Sequence, residues 1–141
     1  MSDFYIYYKE NMEALGLTAP DSLFGTQQLA IGTISTLVAC VDKFGTRVTV
    51  MEIIGAGTKL ELLAAVGAVG AAFYVGAAIG SLAVAAGRTL GGGASLADVL
   101  FEALQWRLGR PWLTSVLHHR PEIYDPSMPG RKYYRTYRFA R

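Results

Sequence analysis

Two stretches of the chain carry no charged side chain, and they set the predicted layout. The first runs from Ser22 to Val41, between Asp21 and Asp42. Leu29, Ala30, Ile31, Ile34, Leu37, Val38 and Val41 recur there at helical spacing. Gln27, Gln28, Thr33, Ser35 and Thr36 dilute the run, so 22–41 reads as a weak apolar helix, either a membrane span or the buried helix of a soluble fold. The second runs from Leu62 to Gly87, between Glu61 and Arg88. As one helix it would be roughly 39 Å long, enough to cross a hydrocarbon core of about 30 Å with some tilt. A soluble helix of that length normally shows a charged face, and this stretch has none.

The flanks are less regular. Phe4-Tyr5-Ile6-Tyr7-Tyr8 reads as a short strand or an interfacial anchor. Residues 9–16 look weakly helical and stop at Gly16; Asp21 or Ser22 is the expected N-cap of the next helix. Thr46 to Gly57 fits strand or helix equally. After Gly91-Gly92-Gly93, residues 95–120 are expected to form amphipathic helices. Ser95 is the expected cap, Leu96, Val99, Leu100, Ala103 and Leu104 the apolar face, and Asp98 with Glu102 a solvated one. Pro111 suits the start of a last short helix that Pro121 ends. Residues 121–141 form a Pro-rich linker and a tail in which Arg131, Lys132, Arg135 and Arg138 alternate with aromatic residues. The fold class expected is mainly α, a helical hairpin or bundle in one domain over 1–141. Its long Gly/Ala-rich helix over 62–87 is the candidate membrane span, and the terminal aromatic segments could pair as short strands.

The composition of 62–87 changes how that helix should behave. Ten residues are Ala and five are Gly, against nine strongly apolar ones. Small residues add little to lipid transfer, so insertion is favourable but marginal. They also let backbones approach, which is the main force between helices in lipid. At 100° per residue, Ala65, Ala72, Gly76, Gly80, Ala83 and Gly87 share one face, and Gly67, Ala71, Ala78 and Ala85 the opposite one. Two smooth faces allow two close neighbours, hence a ring. Gly70, Tyr74 and Ser81 lie between them, and this most polar stripe is the candidate lumen.

Charge divides the chain. Residues 1–106 hold five Lys/Arg and nine Asp/Glu, a net of −4; residues 107–141 hold eight and two, a net of +6. The basic-aromatic tail, with Trp106 and Trp112 nearby, suits anionic headgroups, although RNA contact or plain solvation would use the same residues. Enzyme chemistry has little to stand on. Ile53-Ile54-Gly55-Ala56-Gly57 lacks the third glycine and the acidic residue of a dinucleotide-binding turn. His118-His119 reads as helix capping, with no further ligands for a metal. Cys40 lies in an apolar stretch and reads as a buried thiol. No catalytic residue, cofactor or metal is expected. The N-terminus shows no secretory leader and no lipidation motif, so synthesis in the cytoplasm is expected.

The zipper from Ala72 through Gly76 to Gly80, within an alanine-rich span of a small leaderless chain, resembles the pore-forming antibacterial effectors of the bacterial type VI secretion system. The resemblance covers the middle third of the chain. It implies secretion without a signal peptide, carried inside the ring-shaped tube protein of the apparatus. It further implies insertion into the inner membrane of a target cell, oligomerisation and passage of small ions that dissipates the proton-motive force. A cognate immunity membrane protein would protect the producer. The partners implied are thus a lipid bilayer, further copies of the chain, the tube protein and the immunity protein; no nucleic acid is expected. The alternatives are a constitutive small membrane scaffold or subunit, and a soluble helical adaptor with a Gly/Ala-rich core.

Overall fold

The computed structural model describes residues 3–58, 60–85 and 96–123. Its helices are α1 (Asp3–Ala14), α2 (Asp21–Phe24), α3 (Gln27–Phe44), α4 (Val50–Gly55), α5 (Ala71–Ala83), α6 (Leu96–Gln105) and α7 (Pro111–His119). Turns of 3-10 helix cover Glu61–Val66 and Pro121–Ile123. The mainly α class therefore holds. Among the described residues there is no strand, only one isolated bridge between Thr49 and Gly70.

The N-terminal aromatic run is helical, which corrects the strand expectation and the β pairing built on it. Tyr5, Tyr8 and Met12 are buried at spacings of three and four, so one helical face takes all three into the core. A strand would have sent alternate residues to opposite sides. Gly16, at φ +79°, turns the chain out of α1. The tail that was to pair with this segment lies outside the described residues.

The first charge-free stretch is broken at Gly25, and α3 begins only after Thr26, whose side chain accepts from the Leu29 amide at 3.1 Å. Thr26, not Asp21 or Ser22, is the cap that starts the long helix. The α3 face Ala30, Thr33, Ile34, Leu37, Val38 and Val41 is buried, while Gln28, Gly32, Ser35, Thr36 and Ala39 face outward. Within the ambiguous 46–57 region only Val50–Gly55 is helical, after the isolated bridge at Thr49. Thr49 and Glu52 form a capping box, with the Thr49 amide donating to the Glu52 carboxylate at 2.8 Å.

The second charge-free stretch is not one helix. Its start folds as the 3-10 segment Glu61–Val66, and α5 begins at Ala71. Between them the backbone pairs sideways with the entrance to α4. Val50 donates to Val69 at 3.0 Å, Met51 to Gly67 at 2.9 Å, and Ala71 to Val48 at 2.8 Å. Gly67 and Gly70 make the break cheap, since each costs a helix about 1 kcal/mol relative to Ala. No helix among the described residues is long and apolar enough to cross a membrane. The single span expected over 62–87 is corrected accordingly; α5 alone is roughly 20 Å long.

α5 is the axis of the fold. It contacts α1, α3, α4, α6, α7 and the Pro121–Ile123 turn. Every α5 residue except Phe73 is buried. An aromatic ladder fastens its first half to the N-terminal helices: Tyr8 stacks on Phe24 with centroids 5.1 Å apart, and Phe24 meets Tyr74 at 6.4 Å.

The candidate membrane-active core and its cover

The small residues of α5 have partners within the same chain. An added Cβ at Gly76 would lie 2.8 Å from Val116 Cγ1 and 3.6 Å from Ile123 Cδ1. At Gly80 it would collide with Ile123 Cγ2 and approach the Ile123 carbonyl oxygen at 3.5 Å. The Gly76 and Gly80 notches of the zipper thus seat α7 and the turn that follows it. Gly76 and Gly80 are required here because the neighbouring side chains occupy the space a Cβ would take.

The opposite side is held by α1. The Tyr8 hydroxyl donates to the Ala78 carbonyl at 3.0 Å, and burial, with Tyr74 adding a smaller push, keeps that phenol well above its usual pKa. Asn11, almost fully buried, uses its side-chain amide as a fork. One bond reaches Ser81 Oγ at 2.8 Å and the other reaches the Ile123 carbonyl at 3.0 Å. The Tyr74 hydroxyl donates to the Thr18 carbonyl at 2.7 Å. The polar groups of Tyr8, Asn11, Tyr74 and Ser81 are thereby hydrogen-bonded within the core.

These positions redraw the expected faces. Ala72, Gly76, Gly80 and Ala83 remain on one helix, but Ala65 is an exposed residue of the 3-10 segment and Gly87 lies outside the described residues. Ala71 and Ala78 lie in α5 and Ala85 in the wider helical turn that extends it, whereas Gly67 sits in the preceding turn against Met51. Of the candidate lumen, Gly70 is the N-cap of α5, and Tyr74 and Ser81 are fully buried with α1 and the Thr18 loop as partners. Among the described residues these three positions do not line a common channel.

The tryptophans expected at an interface have their ring N–H groups occupied internally. Trp106 donates to Glu102 at 2.8 Å, and Glu102 is buried at 2% exposure, which corrects its reading as part of a solvated face. Leu104, expected on the apolar face of α6, is instead 69% exposed. Trp112 donates to Asp42 at 3.0 Å, and Arg110 Nε donates to the other Asp42 oxygen at 2.8 Å. Those two bonds hold the Asp42 carboxyl below its usual range, the Arg110 bond contributing most and the Trp112 bond next. Asp42 thus ties the end of α3 to the start of α7. Arg120 lies over the Phe73 ring, 4.3 Å from its centroid. His119 donates from Nδ1 to the Ser115 carbonyl of its own helix at 2.8 Å. Arg131, Lys132, Arg135 and Arg138 lie outside the described residues.

Asn11, Asp42, Val116 and Ile123 hold the elements packed around α5 together, and sequence reading missed the role of all four. Asn11 follows Phe4 and Tyr8 at helical spacing, which marks a polar residue on the buried face once α1 is known to be a helix. Val116 and Ile123 have no sequence signal for their seats on the glycines.

Among the described residues no group of three His, Cys, Asp or Glu side chains could hold a metal ion. Comparison with protein-family models, curated proteins and solved structures finds no match.

Proposed function

We propose that this fold is the closed form of a membrane-inserting, ion-conducting protein, acting as an antibacterial toxin on the inner membrane of a target cell. The observation that carries the reading is α5, a charge-free Gly/Ala-rich helix enclosed on nearly every side in a chain of only 141 residues. A helix apolar all round belongs either in a protein core or in a bilayer. Here it has both options, because its glycine notches accept whatever helix lies closest.

In the bilayer the sideways pairing of 67–71 with 48–51 would be given up. Lipid offers no water to satisfy backbone groups, so the 3-10 segment and the turn after it would join α5 as a continuous helix. That conversion restores the length α5 lacks. Small-residue faces then take further copies of the chain in place of α1 and α7. The resemblance to type VI effectors supplies the remainder: delivery inside the tube protein, loss of the proton-motive force, and a cognate immunity protein. An enzymatic role is not part of this reading.

The decisive experiment records current across a planar bilayer after adding purified protein under a transmembrane voltage. Stepwise ion currents are expected. A silent bilayer, together with a protein that stays monomeric beside vesicles, would remove the proposal and leave the adaptor with a Gly/Ala-rich core.

A further inference from the structure

We infer that the segment from Arg110 to Ile123, comprising α7 and the turn after it, is a releasable cover that blocks self-association of α5. The inference rests on the membrane reading above. The geometry is that of one face with one occupant at a time. Val116 fills the notch at Gly76, and Ile123 fills the notch at Gly80. A second α5 packing there at close range needs the same notches empty. The cover must leave before copies of the chain can assemble through this face.

The cover is also held in a way that permits release. α7 has nine residues, too few to be a stable helix by itself, so its order depends on what it packs against. Leu113 and Leu117 are buried on the bundle, while Thr114, Ser115, His118 and His119 face outward. Polar contacts hold it at both ends, and between them Arg120 lies over the Phe73 ring of α5, 4.3 Å from its centroid. At the start, Asp42 takes the Arg110 and Trp112 bonds, with both members of the ion pair more than a third exposed at the side chain. At the far end, Asn11 donates to the Ile123 carbonyl. The Asp42 fastening faces water and can open without first breaching the core. The one at Asn11 is buried and is lost only when the Ile123 turn lifts from Gly80.

A cross-link tests this directly. Arg110 Nε and Asp42 Oδ2 stand 2.8 Å apart at a partly exposed contact away from the zipper face, so cysteines at the two positions are within reach of a short bis-thiosulfonate linker. Asp42→Cys with Arg110→Cys, in a Cys40→Ala background and joined by that linker through two reducible disulfides, would fasten the start of the cover to α3 and leave Gly76 and Gly80 unaltered. The readout is potassium efflux from vesicles of phosphatidylethanolamine and phosphatidylglycerol. Cross-linked protein should leak about tenfold less than the same protein after reduction, as the closed linkage biases the population toward the covered form. Equal efflux in both states, with wild type active, overturns the cover and leaves the pore reading standing. No efflux from wild type overturns the pore reading, and the cover falls with it. A second variant decides if the cysteine pair does not fold. Asp42→Ala should start leaking roughly two- to fivefold sooner than wild type, the scale of an exposed ion pair. An unchanged or later onset would overturn the release step at Asp42.

Discussion

α3 and α5 both come from charge-free stretches, yet they solve opposite problems. α3 buries one face and turns Gln28, Gly32, Ser35, Thr36 and Ala39 to the outside. α5 has no outside, apart from Phe73 beneath Arg120. Uncharged polar and small residues are enough to make a wet helix face, so missing charge does not by itself point to lipid. What separates the two helices is the neighbour found by each glycine. Gly32 has no atom within 4 Å of the place its Cβ would take, whereas Gly76 and Gly80 meet Val116 and Ile123 there.

The largest contrast should come from placing one negative charge on each helix. Ala78 is fully buried and its carbonyl already accepts from Tyr8. An aspartate there would be an uncompensated buried charge, with a cost of about 4 kcal/mol or more. That is a large part of the roughly 5–15 kcal/mol that holds a domain folded. Ala78→Asp should therefore lose the cooperative urea transition. Ala39→Asp, on the exposed side of α3 and four residues before Lys43, should shift stability by no more than about 0.5 kcal/mol. Two variants with the same urea midpoint would erase the distinction between the helices.

A smaller test uses one methyl group in each helix. Gly32→Ala should raise stability by about 0.5–1 kcal/mol, because an exposed helix interior prefers alanine and nothing obstructs it. Gly80→Ala should lower it by about 1–2 kcal/mol, since overpacking of roughly 1–3 kcal/mol exceeds the helical gain. Urea midpoints at constant slope give both values. If both substitutions stabilise, Ile123 is not seated on Gly80.

Sequence made the helical class legible, along with the stop at Gly16 and the proline-led start of α7. It also placed Ala72, Gly76 and Gly80 on one face. The partner of that face was not legible, because Val116 and Ile123 lie more than thirty residues away and look like ordinary apolar positions. Helical phase carried too far misplaced Ala65 and Gly67. The phase holds only while the helix lasts, and the break at 67–70 is imposed by pairing with residues near α4, a tertiary effect. Glu102 was misread for a different reason. Its partner Trp106 is only four residues on, a spacing that puts both on one helix side, so the signal was local and available. Asp42 was noticed only as the end of an uncharged run, which says nothing of Arg110 and Trp112.

The smallest expected effect concerns Asp42, where the end of α3 meets the start of α7. The Asp42 carboxyl is held below its usual range by bonds from Arg110 and Trp112, and Arg110 is its opposite charge across the contact. In the unfolded chain an Asp titrates near 3.9. A folded value below that means protonation favours the unfolded chain. The fastening therefore contributes its full stability above the unfolded value, and that contribution declines as pH falls through the window toward the folded one. Both side chains are more than a third exposed, so solvent screening keeps the contribution small and added salt should shrink it further. Asp42→Asn removes the charge and should flatten this part of the pH dependence while leaving stability on the acid side of the window nearly unchanged. Urea midpoints from neutral pH down to the acid limit of the fold, for wild type and Asp42→Asn, make the comparison. Curves that run parallel throughout would mean that Arg110 does not rest on Asp42 in solution, and α3 would then contribute to the bundle through its buried face alone.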